Sequence, residues 1–173
     1  DVKDDLNRRA EPHEPLPDLV LNAYYLLGYD WRETLKIWQS VGMPTPPVMI
    51  TVANRVETAA RIKHAFDNRR IHIDELCDPE RILHIDSKVL EEAEAKEEPV
   101  TAIENSENEE EKDASCDNLP FKRKLTKAAR AEYLRQMVDT IGKAGQAGEK
   151  IQNVISVGML SEGWDTKTVT HIM

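Results

Sequence analysis

Val154-Ile-Ser-Val-Gly-Met-Leu160, followed by Ser161-Glu-Gly-Trp-Asp165-Thr-Lys-Thr-Val-Thr-His-Ile-Met173, decides the reading of this chain. Val154 to Leu160 is almost continuously apolar with one Gly, the pattern of a short strand buried on both faces in a parallel sheet. Polar residues Ser161 to Thr166 follow, and Val169 opens what reads as a second buried strand. In open α/β sheets, ligands bind beyond the carboxyl ends of the strands, where this loop would lie. Gly163 permits close backbone approach or positive φ. Ser161 supplies a hydroxyl suited to a phosphate oxygen, and Asp165 an acceptor suited to a ribose hydroxyl or a cation. The same residues also fit a tight strand-to-strand turn with a capping Ser and Asp.

About a hundred residues upstream lies Pro47-Val-Met-Ile-Thr-Val-Ala-Asn-Arg-Val-Glu-Thr-Ala-Ala-Arg-Ile62. Val48 to Ala53 reads as a core strand. Asn54 fits a helix N-cap, and Glu57 stands where a capping-box partner belongs. The helix expected from Arg55 to Asn68 carries Val56, Ala59, Ala60, Ile62, Ala65 and Phe66 at helical spacing. Arg55, Thr58 and the first-turn amides are candidates for holding a phosphate; an ordinary capped helix explains the same residues.

The remaining chain supports an α/β class. Residues 1–16 are charged and contain Pro12 and Pro15, and read as a linker or arm. Leu16 to Ser40 has helical periodicity with a break expected at Gly28-Tyr29-Asp30, where Asp30 would cap a second helix. Pro44-Thr-Pro-Pro47 ends that region. Ile71 to Leu76 and Arg81 to Asp86 both alternate like strands, with His72 and His84 read as structural. Leu125 to Ala144 is helical with a basic first part, and Gly142 to Lys150 reads as a flexible connection. That glycine-containing stretch lacks the G-x-x-x-x-G-K-[ST] spacing of a phosphate loop and follows a helix rather than a strand.

The chain has 173 residues and a net charge of −9, enough for one domain with a real core. From Asp86 to Asp117 there are 13 acidic and 3 basic residues, which leaves the remainder at +1. The acidity belongs to one segment, residues 89–118, whose composition is too poor in apolar groups to offset the entropy of ordering. Cys77 and Cys116 do not make a disulfide framework, and His72, Cys77 and His84 lack paired zinc-ligand spacing; no metal site is expected. No apolar run approaches the length of a membrane span and no signal peptide is visible, so no membrane partner and a cytoplasmic location are expected. The polar start at Asp1, without Met, suggests a piece of a longer chain.

The segment from Ser156 to Ile172 resembles motif V of superfamily 2 helicases and translocases. Its Met-Leu-Ser-Glu-Gly-Trp-Asp form is most similar to the Res subunit of type III restriction enzymes. The 47–62 segment is similar to the motif IV region of the same family. The resemblance implies the second RecA-like domain, a mainly parallel sheet flanked by helices, spanning residues 17–173 with an acidic insertion at about 89–118. It implies a parent enzyme that hydrolyses ATP with Mg²⁺ to move on double-stranded DNA. ATP and Mg²⁺ would be held mainly by a first RecA-like domain, and a methyltransferase (Mod) subunit would be a partner. By the same resemblance Gly163 and Asp165 face the nucleotide cleft, Ser161 and Glu162 meet the nucleic-acid backbone, and Asn54 and Arg55 lie near the strand. The match stops before motif VI, so no complete catalytic site is expected in this chain alone. Trp164 stands where other branches often carry a small or aliphatic residue. An RNA helicase of the same superfamily and a non-enzymatic α/β interaction module using the acidic segment are the alternatives.

Overall fold

The computed structural model describes residues 1–86, 127–158 and 167–173. Its frame is a four-stranded, all-parallel sheet in the order β2-β3-β1-β4. The strands are β1 (Val48–Ala53), β2 (Ile82–Asp86), β3 (Asn153–Val157) and β4 (Val169–Ile172). Met49 to Ala53 run beside Asn153 to Val157, and Ile82 to Asp86 flank the same residues on the other side. β3 is buried along its whole length, as its apolar run requires. β4 is an edge strand with only His171 buried, so it is not the second buried strand that its sequence suggests. Its register on β1 shifts between Val48 and Met49.

Alternation along the strands divides the core in two. Met49, Ala53, Ile155, Val157 and Ile82 face one side, with Val48, Ile50, Val154, Leu83 and Ile85 on the other. The first side is covered by α2 (Asp18–Ser40) and α3 (Val56–Asp67). The second is covered by α4 (Lys127–Thr140) through Leu134, Met137 and Val138, with Ile141 just after the helix.

α2 is one continuous 23-residue helix, without the break expected at Gly28-Tyr29-Asp30. Its buried stripe is Val20, Tyr24, Gly28, Trp31 and Leu35, steps of three and four that keep one face on the sheet. Gly28 sits in that stripe because a Cβ there would lie 3.0 Å from Ile73 Cγ1 and 3.1 Å from Leu76 Cδ1. Asp30 caps nothing; its carboxylate lies 3.0 Å from His171 Nε2 on β4. Two polar bonds fix α2 on β1 and on the proline turn leading into it. Trp31 Nε1 donates to Pro47 O (2.9 Å) and Tyr24 OH to Thr51 Oγ1 (3.0 Å). Tyr24 also meets Phe66 of α3 edge-on, with centroids 5.4 Å apart.

Ile71 to Leu76 is not a strand. Ile71 and Ile73 plug the core, and a 3-10 turn runs from Asp74 to Cys77. The connection after α4 is a chain of hydrogen-bonded turns rather than a loose linker. Lys143, Gln146, Glu149 and Ile151 N–H each donate back three residues, and Gly148 N–H reaches Thr140 Oγ1 (2.9 Å). The segment expected as a linker or arm is docked: it contains helix α1 (Val2–Asn7), capped by Asp1, and buries Leu16 in the core. The acidic stretch 89–118 lies outside the described residues. Among the described residues no helix is long and apolar enough to cross a membrane.

Candidate functional site

β1 and β3 end together. Ala53 pairs with Val157, and Gly158 N–H donates to Ala53 O at 2.9 Å. Gly158 takes φ +75, a left-handed conformation that turns the chain out of the sheet. The two segments picked out by sequence, separated by about a hundred residues, therefore leave the carboxyl edge side by side. That edge of a parallel sheet is where loops gather ligands.

β4 runs parallel to β1 on the side away from β3 and starts beside Val48 at the amino edge, where the Thr168 carbonyl accepts from Val48 N–H (2.8 Å). Ser161, Glu162, Gly163 and Asp165 lie outside the described residues.

On the β1 side, Asn54 does not cap α3. Arg55 holds the N-cap position in extended conformation with no side-chain capping bond, and the Asn54 amide instead donates to Asn7 Oδ1 of the arm. The physical reason is the neighbouring segment, which supplies partners for Asn54, Arg55 and Thr58 at the start of α3. Arg55 Nη1 donates to Asn7 O (2.8 Å) and Thr58 Oγ1 to Leu6 O (2.7 Å). One turn on, Arg61 is only 1% exposed. It contacts the Asp5 carboxylate at 2.9 Å, and donates to the carbonyls of Asp5 (3.3 Å), Glu14 (3.3 Å) and Pro15. Arg55 and Thr58, the residues suited to a phosphate, are thus both engaged with backbone oxygens of α1.

Electrostatics follow the same map. The Glu57 carboxyl is held below its usual range, first by a backbone N–H of its own residue and then by Arg55, with Arg9 adding a weaker pull against desolvation. Glu14 is also held low, chiefly by Arg8, whose Nη2 lies 2.6 Å from its carboxylate.

Asp5, Asn7 and Arg61 are absent from the sequence reading of this edge. Two signals point to them. Asp1 and Asp4 have the three-residue spacing of a capping box, and both reciprocal bonds form. Arg61 interrupts the apolar face between Thr58 and Ala65, a place where an arginine needs several acceptors from another segment.

A cleft of 310 Å³ opens at the opposite, amino edge, lined by Trp38, Met43, Pro44, Arg81, Lys150 and Gln152. It shares no residue with the carboxyl edge. No family model matches the chain, and neither a curated protein nor a solved structure shows a significant match to it.

Proposed function

We propose that this chain serves as the second RecA-like domain of an ATP-driven DNA translocase similar to the Res subunit of type III restriction enzymes. The observation that carries the reading is the juxtaposition at the carboxyl edge. The stretch resembling motif IV leaves β1 next to the point where the stretch resembling motif V leaves β3. Two loops that flank each other can respond to a nucleotide on one side and a nucleic-acid backbone on the other, and each ligand then biases the affinity for its counterpart.

In this reading Asn54 and Arg55 approach the DNA backbone together with Ser161 and Glu162, while Gly163 and Asp165 face the nucleotide. Such contacts are made to phosphate and sugar and carry no sequence information. ATP and Mg²⁺ enter this reading as ligands held mainly by a companion RecA-like domain, as the resemblance implies. A methyltransferase subunit is the further partner that the resemblance brings.

The test is Asp165→Ala in the full-length protein. The DNA-stimulated ATPase should fall by about tenfold or more, while the thermal unfolding midpoint of the domain stays unchanged. Equal turnover of variant and wild type removes Asp165 from the nucleotide side. A full reading frame with no P-loop upstream of residue 1 sinks the motor assignment altogether.

A further inference from the structure

Three successive carbonyls at the end of α1, those of Asp5, Leu6 and Asn7, accept from Arg61, Thr58 and Arg55 of the α3 segment. The Leu6 and Asn7 carbonyls are among those that a helix end leaves without intrahelical partners, and cations there complement the helix dipole. At the same time they occupy donors, on Arg55 and Thr58, that suit a phosphate. We propose that α1 is a displaceable cover of the carboxyl edge, which a nucleic-acid backbone removes by competing for Arg55 and Thr58. The proposal rests on the reading of that edge as a nucleic-acid surface.

Three features support displacement. First, α1 is held by polar contacts with little apolar burial. It has six residues and none is buried, and only Val2 and Leu6 pack partly on the core. A helix this short is marginal by itself, which places α1 at the low-stability end of the fold. Second, an ionised phosphate oxygen is a stronger acceptor for a guanidinium or hydroxyl than a neutral carbonyl. Third, the arm has a second anchor that need not move. Arg61 also holds the carbonyls of Glu14 and Pro15, and Leu16 is buried, so residues 9–13 can act as the hinge while the base stays in place. When α1 leaves, Arg61 loses its carboxylate partner Asp5 and gains a reason to accept a phosphate.

The experiment uses the complete chain in a Cys116→Ser background, so that the buried Cys77 is the only native thiol. Binding of a fluorescein-labelled DNA duplex of about 20 base pairs is followed by anisotropy at low salt. Asp5→Asn, which weakens the hold on α1, should tighten binding by about tenfold. The pair Asn7→Cys and Asn54→Cys replaces two side chains already in contact. Once oxidised it should bind about tenfold more weakly than the same protein after reduction. Amide exchange in residues 2–7 should rise on saturation with duplex. If wild type, Asp5→Asn and the oxidised and reduced pair bind equally, or residues 2–7 stay protected in the complex, the cover is wrong and the edge remains a nucleic-acid surface. If none of these proteins binds duplex, the nucleic-acid reading falls and takes the cover with it.

Discussion

The two faces of the sheet are built by different means. Where α2 and α3 pack, apolar contact is combined with named polar bonds: Trp31 to Pro47, Tyr24 to Thr51, and Arg61 to the arm. Where α4 packs, the described buried hydrophobics around Val48, Ile50, Leu83, Ile85 and Val154 are aliphatic and thioether, with Ser156 buried on the same face of β3 and its hydroxyl bonded to the nearby Gly158 carbonyl. Apolar burial is non-directional and tolerates volume-conserving exchange, whereas a buried polar group left without its partner costs its full desolvation. The first face therefore fixes the position of α2, and with it the chain that enters β1. The second face chiefly adds burial.

This contrast can be broken in order of expected effect. Trp31→Ala removes a fully buried ring and orphans the Pro47 carbonyl, and should lower unfolding free energy by about 3–5 kcal/mol in urea titrations. Gly28→Val drives a branched side chain toward Ile73 and Leu76 and should cost about 1–3 kcal/mol by the same measurement. Tyr24→Phe leaves Thr51 Oγ1 without its buried donor and should cost about 1–2 kcal/mol. On the other face, Met137→Leu should cost roughly half a kcal/mol and stay under about 1.5. If Met137→Leu proved as damaging as Tyr24→Phe, the distinction between the faces would fail.

The smallest effect concerns the arm and acid. Glu14 has a folded-state pKa below its ordinary value, chiefly through Arg8. Its contribution is present above the unfolded carboxyl value, near pH 4.3, and is lost as pH falls through the lower folded value. Acidification from neutrality to about pH 3 should loosen residues 1–14, read as increased proteolytic nicking before the near-UV signal of the core changes. Nicking that is independent of pH would show that this ion pair does not hold the arm.

Much of the frame was legible in sequence. Val48 to Ala53 reads as a strand and is one, because six residues of apolar and β-branched character admit little else. Ile82 to Asp86 and the core of Val154 to Leu160 follow the same logic. The Gly28 break failed because glycine there answers to a tertiary neighbour: close approach of Ile73 and Leu76 outweighs its poor helix propensity. Alternation misled at Ile71 to Leu76, where two isoleucines enter the core from an irregular segment that continues into a 3-10 turn. Asn54 misled for a related reason, since a cap preference of about 1 kcal/mol yields to a segment 47 residues away in the chain. The charged start, read from composition as a linker or arm, hides a helix that only the Asp1 to Asp4 capping spacing marks, and with it the acceptors brought to Arg61. Of the candidate site, Asn54 and Arg55 follow β1 at the carboxyl edge of the sheet, while Ser161, Glu162, Gly163 and Asp165 lie outside the described residues.

The strand order also governs when the sheet can first exist. β1 and β2 are not neighbours; β3 stands between them, and β4 pairs only with β1. Every backbone ladder among the described residues therefore needs residues from Asn153 onward. A chain emerging from the ribosome cannot form these pairings until residues from Asn153 onward have been made. Closing β2 on β3 spans a loop of about 70 residues. Thirty fewer would ease closure by only about 0.5 kcal/mol, so the acidic stretch adds little thermodynamic burden. The kinetic consequence is larger: pairings this distant in sequence fold slowly, and the apolar strand Val48–Ala53 must wait, exposed or sheltered by α2 and α3, for its partner to arrive.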